Sequence, residues 1–273
     1  MTRVSAASKL GPHLLGRKTH PGDNRDWHLA HFLASDADLV AQAEAELKQT
    51  KVGYTYFTNK KISPPSDSHW AKALALLAQI GGPPPPPPGV DKTWDDVEAV
   101  LDQGDTPHCV GFGSAQWCNT VPVDDHFKNA DGDDIYYACK EVDGEPGAED
   151  GSYVHTAAKV LKTRGRLSSY AWTNSIGTMQ AWLLQKGPLV VGVDWYNDMF
   201  NPDADGYVAP TGGIAGGHCF AVVGELASED AFLCLNSWGK SWAVNGRFKM
   251  KHADFNKLLT AQGAECMAAL ELP

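Results

Sequence analysis

Gly216-Gly217-His218-Cys219-Phe220-Ala221-Val222-Val223-Gly224 places a histidine on an apolar run bounded by glycines, and Asn236-Ser237-Trp238-Gly239 begins eighteen residues after that histidine. The first run reads as a strand, and Phe232 to Asn236 reads as the next one, ending on the asparagine. An imidazole on one strand and a side-chain amide at the end of its neighbour suggest a histidine held in one orientation, which is half of a nucleophilic machine. Cys109, six residues after Gln103 and at the start of a helical pattern, is the candidate for the other half.

Outward from this pair the chain is helical first and β later. A short helix is expected from Trp94 to Leu101, then one starting at Cys109. Another covers about Gly151 to Lys162, where Val154, Ala157, Ala158 and Leu161 share one face. A fourth runs from Ser175 to Lys186 and stops at Gly187-Pro188. Leu189–Trp195, Cys219–Val223, Phe232–Asn236, Arg247–Met250 and Cys266–Leu272 follow as strands, separated by loops rich in Gly, Asp and Pro. The acidic stretch Asp124 to Asp150 reads as a solvated loop that would repel acidic substrates.

Residues 1–92 form an extension. Leu39, Val40, Ala43 and Leu47 recur at helical spacing behind Ser35 or Asp36, and a second pattern runs from about Ser68 to Ile80. Tyr54 to Thr58 is a short strand or an ordered loop. Pro83 to Pro88 is an unbroken hexaproline, a stiff polyproline II spacer of roughly 3.1 Å per residue. Residues 93–187 are then a helical lobe and 188–273 a β lobe. The spacer leads us to expect that residues 1–92 regulate or position the core without being needed to build it. Their helical pattern has an apolar face to bury, either in the cleft or on the outer wall of a lobe, and the absence of a propeptide-type helix favours the outer wall.

At 273 residues the chain is long enough for two lobes with ordinary cores, and 21% charged residues suit a globular protein. A formal charge of −10 excludes a phosphate-backbone partner, since no basic surplus exists to displace counterions. No apolar run approaches the ~18–20 residues that cross a bilayer, and Val4 to Ser8 is no signal-peptide core. A cytoplasmic or virion-associated protein is expected, with no membrane and no nucleic acid as partner. Six cysteines form no C-x-x-C pair, so spacing offers no zinc site, and neither metal nor cofactor is expected.

Thiol attack on an amide needs a thiolate, a base that becomes an acid, an orienter for that base and donors for the oxyanion. A thiol at a helix start beside a protonated imidazole has its pKa lowered below ~8.5. Singly, each candidate residue has a structural explanation; together, their order is informative. Q-G-x-x-x-x-C, G-H-x-x-x-V-x-G and N-S-W-G-x-x-W-x-x-x-G-x-F occur in sequence. From Trp94 to Leu272 the chain resembles the papain-like cysteine peptidases, in a divergent form of bacterial or phage type.

The resemblance implies an α+β fold of two lobes, a helical one carrying the nucleophile helix and an antiparallel, barrel-like β one. It implies a cysteine endopeptidase acting through an acyl-enzyme, with a peptide or protein as substrate. Cys109 would be the nucleophile, His218 the base and acid, Asn236 the orienter and Gln103 the oxyanion donor. Trp238 would shield the Asn–His hydrogen bond, with Gly217 supporting the site, and Phe112 matches a phenylalanine three residues after the nucleophile.

The departures are local. The family's C-G-S-C-W reads Thr106-Pro107-His108-Cys109-Val110 here, and the absence of a cysteine at 106 fits a reducing compartment. His218 follows Cys109 by 109 residues and Asn236 by 127, so the helical lobe is shorter by some twenty residues than the ~130–150 of the papain signature implies. No propeptide-type E-x-x-x-R helix is evident. His108 adjoins the nucleophile but is poorly placed to act as its base. Asn201 to Gly206 mimics the start of a calcium loop, yet position twelve is Gly212 where glutamate is required. The rival functions are a peptidoglycan amidase with the same Cys–His pair, and a non-catalytic scaffold that binds a virion or host protein through residues 1–92.

Overall fold

Glycines bring the helix that carries Cys109 into the middle of the protein. The computed structural model describes residues 15–19, 27–28 and 90–270. In it α1 (Cys109–Asn119) is buried along its whole length, so it needs partners on every side. Gly111 and Gly113 lie on nearly opposite faces. A Cβ on Gly111 would run into the carbonyl oxygen of Gly132, and one on Gly113 would stand 2.9 Å from Cys219 Sγ. The first face thus packs on a second helix and the other on the strand of His218. Although alanine favours helix over glycine by about 1 kcal/mol, Gly111→Ala is expected to destabilise the fold by roughly 1–3 kcal/mol through overpacking. The midpoint of denaturant unfolding measures it, and an unchanged midpoint would contradict this packing.

The second helix, α2 (Asn129–Asp143), occupies the stretch expected to be a solvated loop. Ile135, Tyr136 and Cys139 are buried at helical spacing while the acidic residues face outward. Asp131 accepts from the Lys128 amide at 2.7 Å, and Gly144 ends the helix in the left-handed region at φ 76°. Lys140, its side chain fully buried, reaches Glu145 at 2.6 Å, Asp150 at 2.9 Å and the Gly151 carbonyl at 3.1 Å, which ties down the loop after α2. Next comes α3 (Val154–Thr163), burying the face predicted for it.

Trp94 to Leu101 is not the helix expected. The Trp94 indole donates to the Leu183 carbonyl, and Arg247 grips Asp95 with two hydrogen bonds of 2.7 and 2.8 Å. These tertiary anchors outweigh a weak local helical preference.

The strands are β1 (Trp27–His28), β2 (Lys92–Thr93), β3 (Ser169–Trp172), β4 (Leu189–Tyr196), β5 (Ile214–Leu226), β6 (Ala231–Leu235), β7 (Arg247–Lys251) and β8 (Glu265–Leu270). Helix α4 (Ile176–Gln185), capped by Ser175, precedes β4, and α5 (His252–Leu259) precedes β8. The sheet runs β1-β3-β8-β4-β5-β6-β7, with β2 added against β5. Its centre is buried on both faces. Cys219, Ala221 and Val223 of β5 join the core under the helices, while Phe220 and Val222 join an aromatic core on the other face. The fold is α+β with two lobes, as expected. The patterns in residues 39–80 and the hexaproline lie outside the described residues. Among those described, no helix is long and apolar enough to cross a membrane.

Candidate active site

Antiparallel pairing matches Ala221 to Leu235, so His218 on β5 lies across from the chain just past the end of β6. There Asn236 Oδ1 accepts from His218 Nε2 at 2.8 Å and from the Ser237 amide at 2.9 Å. A backbone N–H can only donate, so the atom facing it is the oxygen, and the amide orientation follows. An oxygen acceptor in turn assigns the proton to Nε2, which leaves Nδ1 as the basic nitrogen of the neutral ring.

Trp238 stacks on the imidazole at 4.6 Å, and the edge of Trp195 meets it at 4.9 Å. His218, Asn236 and Trp238 are all buried. A hydrogen bond shut away from water in this way is electrostatically stronger than an exposed one. Trp238 thus covers the imidazole that Asn236 holds; Trp195 adds a second indole that carries no sequence signal, because a tryptophan in a strand pattern reads simply as core.

Cys109 begins α1, at the positive end of the helix. Its environment includes the backbone of Cys219, the neighbour of His218. Gln103 is anchored at both ends of its amide: Oε1 accepts from Ser237 Oγ at 2.8 Å and Nε2 donates to the Thr106 carbonyl at 2.8 Å. Its own amide donates to the Ser237 carbonyl at 2.9 Å. The loop before the nucleophile and the turn after Asn236 are thus stitched together. His108 faces elsewhere: its nitrogens pair with Asp133 and Glu149, both at 2.7 Å, and its ring stacks on Tyr136.

Residues 15–18 lie across this site, in the cleft and not on the outer wall. The Arg17 amide donates to Gly217 O at 3.0 Å, Lys18 N to Ser152 O at 2.6 Å and Ser152 N to Gly16 O at 2.8 Å, a parallel pairing. Gly16 passes so close to Pro107 and Gly151 that a Cβ on it would collide with the Pro107 carbonyl. Closure has a chemical consequence for the nucleophile. Burial pushes the Cys109 thiol up to about 11, and backbone hydrogen bonds with Gly16, Cys219 and Val110 and the charge of Arg17 offset this only in part. The expected lowering of its pKa is reversed here, because no thiolate is solvated under the strap.

The calcium-like stretch closes on itself instead, with Asp203 Oδ1 accepting from the amides of Asp205 and Tyr207. Among the described residues no group of three or more His, Cys, Asp or Glu is placed to hold a metal ion.

The model of the papain family cysteine proteases matches residues 123–267, which include His218 and Asn236 but begin after Cys109. A gut-specific cysteine proteinase of Caenorhabditis elegans is 28% identical over 90 residues, 32% of this chain and 27% of that protein. A cathepsin B-like cysteine proteinase of Schistosoma japonicum is 31% identical over 84 residues, 30% of this chain and 25% of that one. The matched stretch spans about a quarter of the length of these curated relatives. Xylellain, a cysteine protease from Xylella fastidiosa, superposes with a TM-score of 0.64 at 16% identity, covering 100% of this chain and 99% of that one. The proform of the Amb a 11 cysteine protease, a ragweed pollen allergen, gives a TM-score of 0.53 at 13% identity over 68% of this chain and 66% of that one. At such identities the two structures establish the fold alone.

Proposed function

The chain belongs to the papain family of cysteine proteases, and from this membership we propose that it is a cysteine endopeptidase, latent while residues 15–18 cover its thiol. The observation that carries the reading is the buried His218–Asn236 hydrogen bond of 2.8 Å beneath Trp238, beside a cysteine that opens a helix.

With the cleft open, His218 Nδ1 takes the Cys109 proton and the sulfur attacks the peptide carbonyl. Negative charge moves to the carbonyl oxygen, where the Cys109 amide and the Gln103 side chain donate. Collapse breaks the C–N bond, and the imidazolium gives its proton to the leaving amine. A thioester remains on Cys109. Water, deprotonated by His218, attacks it and releases the carboxylate product. Asn236 takes no part in bond making. Asn236→Ala is expected to lower kcat by less than the roughly 10²–10⁴ attributed to general acid–base catalysis as a whole, with KM unchanged. A loss as large as that of His218→Ala would give Asn236 more than an orienting role.

The decisive test is the release of new amino termini from denatured casein, compared between the parent chain and Cys109→Ala. Cleavage that depends on Cys109 supports the endopeptidase. Clearing of a peptidoglycan suspension without casein cleavage would instead identify the amidase.

A further inference from the structure

The hydrogen bonding that orients His218 begins further back than Asn236. Leu235 is the last residue of β6, so the Asn236 carbonyl lies beyond the sheet ladder and, in a fully buried residue, needs a donor from elsewhere. Gln116 supplies it. Its Nε2 donates to the Asn236 carbonyl oxygen at 2.9 Å, across 120 residues of chain. A carbonyl can only accept, so the end of the side-chain amide that faces it is the nitrogen. Gln116 is itself fully buried, on α1 two turns beyond Cys109 and along the same face.

What this bond holds is a whole peptide group. The Asn236 carbonyl and the Ser237 N–H belong to one planar unit and point in opposite directions. Gln116 holds the oxygen of that unit. Its N–H donates to Asn236 Oδ1 at 2.9 Å, and the same Oδ1 accepts from His218 Nε2 at 2.8 Å. Rotating the plane would carry the N–H away from Oδ1 and free the Asn236 side chain to turn. The preceding peptide is fixed separately, by the Asn236 amide donating to the Gly246 carbonyl at 2.9 Å. Trp117, next to Gln116, donates from Nε1 to the Pro188 carbonyl at 3.1 Å, just before β4. Helix α1 is therefore tied to both strands that flank β5 and its histidine. Core stability does not account for a glutamine at 116. Among the described residues its Oε1 has no hydrogen-bond partner, and a buried amide satisfied at one end serves a core less well than an apolar side chain of the same shape.

We propose that Gln116 is a positioning residue for the reaction: it fixes the Asn236–Ser237 peptide and, through Asn236 Oδ1, the ring whose Nδ1 is the base. This rests on the endopeptidase reading. Gln116 touches neither substrate nor the reacting atoms, and its effect travels by one route, from peptide to Asn236 to His218. That effect is lost when the Asn236 side chain is absent.

The test is a double-mutant cycle on the full chain carrying Arg17→Ala. This background removes the guanidinium that lies 3.6 Å from Glu265 and 3.9 Å from Asp194, and so weakens the closed state. Gln116→Met keeps the length of the side chain and deletes the donor. For hydrolysis of fluorescein-labelled casein, kcat is expected to fall about three- to tenfold with KM within about twofold, whereas in Asn236→Ala the same substitution changes kcat by less than about 1.5-fold. An unchanged kcat with Asn236 present, or a change confined to KM, overturns the proposal. So does an equal loss in both backgrounds, which would mean that Gln116 acts through packing or through the Ser237–Gln103 contacts. Gln116→Leu, which also lacks the donor, takes the place of Gln116→Met if that variant does not fold. If the Arg17→Ala chain cleaves no casein, the endopeptidase reading fails. The cycle is then read on alkylation of Cys109 by iodoacetamide at pH ~6, where a thiol reacts only if its proton is taken. Gln116→Met should slow that alkylation about three- to tenfold only where Asn236 is present, and equal rates overturn the proposal.

Discussion

Cys109→Ala is expected to reduce turnover of a peptide substrate by about 10⁶-fold, with His218→Ala close to it and the double variant no worse than either. Nucleophile and base act as one unit: without the thiol the base has no proton to take, and without the base the thiol stays protonated. What survives is the smaller contribution of substrate binding and oxyanion donors. The fold should tolerate the change, since removing one buried sulfur is a modest core truncation within the usual range of roughly 0.5–3 kcal/mol. The measurement is single-turnover hydrolysis, with thermal unfolding as the control for structure. Activity above about one percent in Cys109→Ala would move the nucleophile elsewhere and undo the proposed mechanism.

Arg17→Glu is expected to act in the opposite direction, raising the rate of Cys109 alkylation at neutral pH and turnover along with it. The substitution sets a third carboxylate against Glu265 and Asp194 in a pocket where the Arg17 side chain is 1% exposed and that of Glu265 7%. Breaking a buried charge pair costs about 3–5 kcal/mol, which lowers the closed-to-open ratio by roughly 10²–10⁴-fold at 1.36 kcal/mol per decade. The pH dependence should shift as well. Burial is the largest cause of the thiol lying at about 11 in the closed state. Uncovering it lets the thiolate form at lower pH, so the alkylation curve of the variant should lie on the acid side of the parent. Identical curves would mean that residues 15–18 are not what shields the thiol.

The β half of the protein was legible because its strands are short apolar runs cut by Gly, Asp and Pro, and the order of the Cys, His and Asn motifs carried the site. Other features stayed hidden for physical reasons. Helix α2 is masked by composition, its inward apolar residues Ile135, Tyr136 and Cys139 being set among acids that suggest a loop. Trp94 to Leu101 has helical spacing but is claimed by the Arg247–Asp95 fork, a contact across more than half the chain that no local pattern reveals. The strap is read even less easily. Its hold is backbone pairing, which has no periodicity, and its one signal is Arg17-Lys18 in an acidic chain. Glu265 gave no sign of pairing with Arg17, because the two meet only through the fold.

The attachment of the strap at more than one point sets how it responds to cutting. Trp27 and His28 pair with Ala171 and Trp172 at one edge of the sheet. Lys92 and Thr93 pair with Glu225 and Gly224 elsewhere in it, and Asp91 accepts from Ser228. Residues 15–18 are thus a ligand carried on the same chain as their receptor, competing at an effective concentration set by the intervening chain. An intact chain closes to the same extent however dilute it is. A single cut between His28 and Val90 leaves the pairing of residues 15–18 and 27–28 in place yet makes closure bimolecular, so the released piece obeys mass action and the cut chain opens on dilution.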